Sequence, residues 1–266
     1  MRYKTKRNIL AGVFSFFITI VAIANPPTNF NEAKEIASHI FSTNPITLYC
    51  GCHYNPLTNQ VNLQSCGMQS AAVIPRANYL EWEHMMPAEN FGKHLYCWRE
   101  TICKSRGGKH YRGRKCCDKI SAIFRRMEAE LYNLWPAVGL INGARSNYRY
   151  SELPNADFND HTFYGCPIFI DKSLKKVEPR DEAKGIVARA NLFMVQKYHI
   201  KLSVSQKRLF ETWNKKYPPT AWEKTWAYQV ASVEGYTNPF IAQDGESMLG
   251  GRTAAQRSFS NSVLIH

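Results

Sequence analysis

Residues 81 to 84 read Glu-Trp-Glu-His, and Pro87 closes the segment three positions later. The carboxylate of Glu83 is a hard oxygen donor suited to a hard cation, and the neighbouring imidazole of His84 can take a proton from water near neutral pH. The chain carries 34 Lys+Arg against 21 Asp+Glu, a formal charge of +13 that attracts a polyanion. Together these features point to metal-assisted cutting of a phosphate polymer. Such a reaction needs an activated water, neutralised charge on phosphorus and a stabilised leaving oxygen. Taken alone, a Glu-His pair is more often a salt bridge or a packed histidine.

Placing the pair sets a geometric condition. Tyr79–His84 reads as a strand ended by Pro87, and neighbours within a regular strand point to opposite faces. Glu83 and His84 can therefore serve one site only where the strand ends or twists. Around them the pattern predicts an α+β, mostly helical, single disulfide-stapled domain. A first helix is expected over Asn31–Phe41, with Asn29 or Asn31 as its cap. Ile46–Tyr49 reads as a short strand, Asn55-Pro56 as a turn, Asn133–Ala137 as an extended piece and Val138–Asn147 as a short helix. Ile120, Ile123, Phe124, Met127 and Leu131 recur at helical spacing and predict one amphipathic helix. The last third reads as helices over Glu182–Tyr198 and Ser203–Tyr217, with another opened by a Thr220–Glu223 capping box. The aromatic residues there are read as core.

Residues 93–119 form a distinct loop with nine basic residues against Glu100 and Asp118, three glycines and four cysteines. Such a loop should not pack a core, though crosslinks could hold it. At the N-terminus, Lys4, Lys6 and Arg7 precede an apolar run from Ile9 to Val21, and Ala22-Ile23-Ala24 forms an A-x-A site. That is the pattern of a signal peptide over residues 1–24, too short to be read as a membrane span. Removing it deletes four basic and no acidic residues, so +13 becomes +9, and the exported protein has no membrane segment. Residues 25–240 are then the catalytic domain and 241–266 a polar, loosely ordered tail.

The eight cysteines, an even number in an exported chain, read as disulfides. Adjacent Cys116 and Cys117 should bond two different partners. The Cys50-Gly-Cys-His53 run has no second pair at zinc-finger spacing, and zinc is set aside.

The wider order of residues adds a resemblance. Glu81-Trp-Glu-His-Met-Met-Pro-Ala88, Arg114-Lys115, Asn133-Leu134, Asn142-Gly143 and Arg145-Ser146-Asn147 follow one another. Tyr49-Cys-Gly-Cys52, Ala188-Arg189-Ala190 and Asn238-Pro239-Phe240 extend the likeness over about Asn29 to Phe240. The chain resembles the endonuclease I family of exported bacterial nucleases, which carry a ββα-metal (His-Me finger) site. The resemblance implies His84 as general base, Glu83 and Asn142 as ligands of one Mg²⁺, Arg114 on the cleaved phosphate, and Glu128 as a nearby orienting acid. It implies a monomer, periplasmic or secreted, that grips the backbones of DNA and RNA without sequence preference and leaves 5′-phosphates. Tyr132, Ala144 and Thr237 stand where the family usually has His, Asp and His. Lys224 stands where a cysteine is frequent, while the 93–119 loop has extra cysteines, from which a Cys103–Cys116 bond is expected. The competing class is a disulfide-stapled protein that binds nucleic acid or another polyanion without chemistry.

Overall fold

The computed structural model describes residues 24–154 and 162–241. The leader expected over the first 24 residues and the polar tail after Phe240 fall almost wholly outside that range. In chain order the helices are α1 (Phe30–Phe41), α2 (Ala88–Gly92), α3 (Tyr96–Arg99), α4 (Arg114–Ile120), α5 (Ala122–Glu128), α6 (Gly139–Arg145), α7 (Asp181–Tyr198), α8 (Val204–Lys216) and α9 (Ala221–Glu234). The strands are β1 (Leu80–His84), β2 (Cys103–Lys104), β3 (His110–Tyr111), β4 (Leu134–Val138), β5 (Arg149–Tyr150), β6 (Ile168–Asp171) and β7 (Lys176–Pro179). The architecture is α+β. Among these residues no helix is long and apolar enough to cross a membrane.

Side-chain caps explain four of the nine helix starts described. The Asn29 side chain accepts from the backbone N–H groups of Asn31 (2.9 Å) and Glu32 (3.1 Å), so Asn29 is the cap of α1. Ala33, Ala37, Ile40 and Phe41 then bury one face. Thr220 Oγ1 accepts from Glu223 N at 3.1 Å, as a capping box requires. The Glu223 carboxylate does not reach back, because Arg189 holds both of its oxygens. Phe210, Trp213 and Trp226 are buried, as core.

The element that positions the site is β1 paired antiparallel with β4, followed without a loop by α6. The register sets Leu80 against Val138, Glu83 against Trp135 and His84 against Leu134. Gly139 makes the abrupt strand-to-helix junction possible. A Cβ there would lie 2.7 Å from the Arg76 carbonyl oxygen and 3.1 Å from that of Tyr79. Behind β4 the main core is aromatic, with Trp135 4.9 Å from both Phe41 and Trp226, ring centre to ring centre.

Three expectations need correction. Ile46–Tyr49 is not a strand: Ile46 forms one isolated bridge with His53, and the chain then turns, with Gly51 N donating to Thr47 O. Gly51 has φ +70°, and Cys50 and Cys52 on either side are bonded to Cys166 and Cys66, so extended pairing stops there. The helix expected through Ile120–Leu131 is two helices. Ser121 leaves helical geometry at φ −113°, ψ 108° and caps α5. The apolar stripe thereby loses its phase, leaving Ile120 and Ile123 each 51% exposed while Phe124 and Met127 are buried. Finally, the 93–119 loop does own a core. Cys97, Cys103, Cys116 and Cys117 are buried with Met86, Phe91, Phe124, Met127 and Met194 in a second cluster.

Sulfur replaces aliphatic mass in that cluster. Cys97 bonds Cys117 and Cys103 bonds Cys116, so the adjacent pair has separate partners and the expected 103–116 bond is present. A small sheet in the order β5-β7-β6, absent from the sequence reading, follows α6.

Candidate active site

Alternation along β1 turns Glu81 and Glu83 toward α6, and Trp82 and His84 toward α1 and its neighbours. Helix and strand meet twice. Asn142 Nδ2 donates to Glu81 Oε2 at 3.0 Å, and Arg145 Nη1 pairs with Glu83 Oε1 at 3.0 Å. The spacings agree: three residues rise about 4.5 Å on a helix, and two advance about 6.6 Å on a strand.

Glu83 is buried. Its Oε1 also accepts from the Tyr49 hydroxyl at 2.6 Å, and Tyr49 in turn meets the Tyr150 hydroxyl at 2.6 Å. Burial pushes the Glu83 carboxyl up, while Arg145 and the Tyr49 hydrogen bond pull it down. Arg145 also clamps the end of β1, donating to the carbonyls of His84 (3.2 Å) and Met85 (2.7 Å), and its guanidinium lies 4.6 Å from the centre of the Tyr150 ring. Glu81 is held from the other side by Arg76 through two bonds of 2.7 Å. The Arg76 guanidinium occupies the space that a Cβ on Gly143 would need, at 2.3 Å from Nη1.

His84 has different company. Its Nε2 lies 2.8 Å from the backbone oxygen of Glu128. A carbonyl can only accept, so Nε2 carries the proton and Nδ1 is left with the lone pair. The ring lies tilted by 37° against Phe30, 4.7 Å between ring centres, and is buried. Burial, reinforced by the Arg114 charge, pushes the imidazole down to about 3. It is therefore neutral at physiological pH, with Nδ1 unprotonated. Arg114, the first residue of α4, donates from Nε to Glu128 Oε1 at 2.5 Å and lies over Phe30 at 5.4 Å. Glu128 thus touches His84 with its backbone and Arg114 with its side chain.

A cleft of about 910 Å³ opens beside these groups, lined among others by Phe30, Lys34, Glu81, Trp82, Arg114 and Asn142. His84, Glu128 and Arg114 form one connected group, with Arg114 on the cleft wall. Asn142 is joined to Glu81, and Glu83 to Arg145. Glu83 and Asn142 share the α6 side of β1 but make no hydrogen bond to each other, and among the described residues Glu83 and His84 are linked only through Arg145 Nη1, which meets Glu83 Oε1 and the His84 backbone oxygen.

The donor chemistry fits a hard divalent cation. The Asn142 NH₂ is committed to Glu81, which leaves its oxygen as the available donor. Both bonds to Glu83 fall on Oε1, leaving Oε2 without a protein donor among the described residues. One carboxylate and one amide oxygen suit Mg²⁺, which keeps several waters. No cluster of three His, Cys, Asp or Glu side chains is present among the described residues.

Sequence reasoning missed Glu81, Arg145, Tyr49 and Tyr150. The period of two does mark Glu81 as sharing a face with Glu83. Arg145 stood in the Arg145-Ser146-Asn147 run without a role, and nothing local signals that it folds back on β1. Of the positions that depart from the family pattern, Tyr132 is in the core, donating to the carbonyls of Ala227 (3.1 Å) and Tyr236 (3.2 Å), while Thr237 is exposed.

Comparison with known proteins identifies the family. The profile of the Endonuclease I family matches residues 24–244. An extracellular deoxyribonuclease of Aeromonas hydrophila is 34% identical over 239 residues, covering 88% of this chain and 97% of the relative. A periplasmic deoxyribonuclease of the same organism is 36% identical over 222 residues, 82% of this chain and 87% of the relative. Endonuclease-1 of Buchnera aphidicola subsp. Baizongia pistaciae is 38% identical over 216 residues, 80% and 82% of the two chains. The match runs the length of the domain just described, and the chain belongs to the endonuclease I family.

Proposed function

We propose that this protein is an exported, Mg²⁺-dependent endonuclease that hydrolyses the phosphodiester bonds of DNA, and of RNA, without sequence preference. The observation that carries this reading is the 2.8 Å contact from His84 Nε2 to the Glu128 carbonyl, which leaves Nδ1 of a neutral imidazole as the base. In the proposed reaction Nδ1 takes a proton from water as the water oxygen attacks phosphorus. The P–O3′ bond breaks, leaving a 5′-phosphate, and the departing O3′ takes a proton from a solvent water to become a 3′-hydroxyl. Arg114, held by Glu128 at the cleft wall, steadies the negative charge gathering on the phosphate oxygens. Glu83 and Asn142 would hold the cation, Arg145 and Tyr49 fixing the first and Glu81 the second. When bound, Mg²⁺ supplies charge neutralisation at the scissile phosphate. On this reading β1, β4 and α6 form a ββα-metal motif.

Backbone contacts by Lys and Arg explain binding without base readout. The relatives' names, extracellular and periplasmic deoxyribonuclease, favour DNA as a substrate. Residues 1–24 would direct export as a signal peptide, residues 25–240 act as a monomeric catalytic domain, and the four disulfides suit an oxidising compartment. The protein would then work in the periplasm or outside the cell.

Incubation of supercoiled plasmid with the purified protein tests the proposal. Nicking and degradation with Mg²⁺, abolished by a chelator, are expected. Binding of the plasmid with no cleavage under any divalent cation would make the protein a capture module instead.

A further inference from the structure

We propose that the β2–β3 ribbon is a phosphate clamp, gripping the nucleic-acid backbone outside the cleft; this rests on the nuclease reading above. From residue 101 to 117 the sequence holds Lys104, Arg106, Lys109, Arg112, Arg114 and Lys115 and no carboxylate. Lys104, Arg106 and Lys109 are exposed, and none forms an ion pair among the described residues. Lys104, Arg106 and Lys109 therefore present charge that no group among the described residues neutralises.

A solvated loop of this charge needs no particular shape, yet this one is built. Cys103 pairs with Tyr111 and Lys104 with His110 in a ladder, and the tip closes with Ser105 N on Lys109 O and Gly108 N on Ser105 O. One disulfide, Cys103–Cys116, fastens its base to α4, and a second, Cys97–Cys117, ties α4 to α3. Gly113 N donates to Cys97 O, and the next residue is Arg114, which reaches the cleft wall. The ribbon and the cleft rim are thus one crosslinked piece. Preordering the backbone removes part of the entropy that binding would otherwise cost. The partner that fits is a regular polyanion lying across the cleft: the sugar–phosphate backbone of the substrate itself.

The test compares the full-length protein with a K104Q/R106Q/K109Q variant. Affinity for a 30-base-pair duplex is measured by fluorescence anisotropy across a salt series, with chelator present so that nothing is cut. Each lost phosphate contact removes about 0.9 from the slope of log affinity against log salt, so the slope should shrink by about 2 to 3. The melting temperature should not change, since all three side chains are exposed. An unchanged slope overturns the clamp, as does failure of the wild-type protein to bind the duplex. Loss of binding to phosphatidylglycerol vesicles in the variant, with the duplex slope intact, also overturns it and assigns the ribbon to a lipid surface. Because chelated binding is read without cleavage, an inactive protein would sink the nuclease reading and still leave the ribbon judged.

Discussion

Arg189 on α7 and Arg145 on α6 are both about 1% exposed, and each faces a buried glutamate, yet the two pairs are finished differently. Arg189 forks onto both oxygens of Glu223, at 2.6 and 2.5 Å, and spends its remaining nitrogen on Tyr217 O and Asn214 Oδ1. Every polar atom is satisfied, in the bidentate geometry that suits guanidinium. Arg145 meets Glu83 through one oxygen only, and its buried Nε has no acceptor among the described residues. An unsatisfied buried donor costs about 1–3 kcal/mol. The fold carries that cost in the pair beside the cleft and not in the pair between α7 and α9. The closed pair ties α7 to α9, while the open pair leaves a carboxylate oxygen free for something the protein does not itself supply. On the proposed reading, the same ion-pair chemistry serves structure in one place and a site in the other.

The largest effect should fall on the open side. His84→Ala removes the base next to Glu83, and cleavage should drop about 10²- to 10⁴-fold with DNA binding retained. Near-full turnover would move the base elsewhere and dissolve the functional half of the contrast. On the closed side, Glu223→Ala leaves Arg189 buried without its partner and should cost about 3–5 kcal/mol in urea unfolding. Turnover per folded molecule should stay at the wild-type level. If instead activity vanished while stability held, the helical pair would belong to the site.

A smaller effect sharpens the open side. Glu81→Gln weakens both the Arg76 fork and the acceptor that fixes the Asn142 amide. Groups that orient a ligand in this way are typically worth about 10- to 100-fold in metal affinity. Calorimetric titration with Mn²⁺ should register that loss, and an unaltered affinity would remove Glu81 from the site.

The smallest effect concerns a third buried group, away from both pairs. The Tyr236 hydroxyl lies 2.7 Å from Glu130 Oε2 and 2.8 Å from Glu234 Oε2, one proton between two acceptors. Burial, then the Glu234 charge, push Glu130 up from 4.5 to about 7. Between those values the folded protein keeps a proton that the unfolded chain releases. The resulting stability is complete below about pH 4.5 and is lost as pH rises through about 7. Urea midpoints should therefore fall from pH 5 to pH 8, and Glu130→Gln should flatten that slope. An equal slope in the variant would place the titration on another group.

How much of this was legible varies with the range of the cause. Caps and helical periods act over three or four residues, and Asn29, Ser203 and Thr220 begin helices where the sequence pattern puts them. The Cys103–Cys116 bond was readable from the spare cysteines once the family likeness was in hand. Strands of two to four residues, such as β5, β6 and β7, are too short to display an alternation. Ser121 escaped notice because an N-cap inside a continuous apolar stripe looks like one helix. The site residues could be named, but their partners could not. Arg145 reaches Glu83 across 62 positions, and Asn142 reaches Glu81 across 61, distances over which nothing local carries a signal. The strand period puts Glu83 and His84 on opposite faces of β1, so one site can use both only at the strand's end, where His84 stands.

The central claim is that the free oxygen of Glu83 and the amide oxygen of Asn142 hold one divalent cation on the α6 side of β1. Crystals soaked in Mn²⁺ and measured for anomalous scattering test it most directly. The account predicts a single strong peak bonded to both Glu83 and Asn142. A peak held by other residues, or none at a saturating Mn²⁺ concentration, would contradict it.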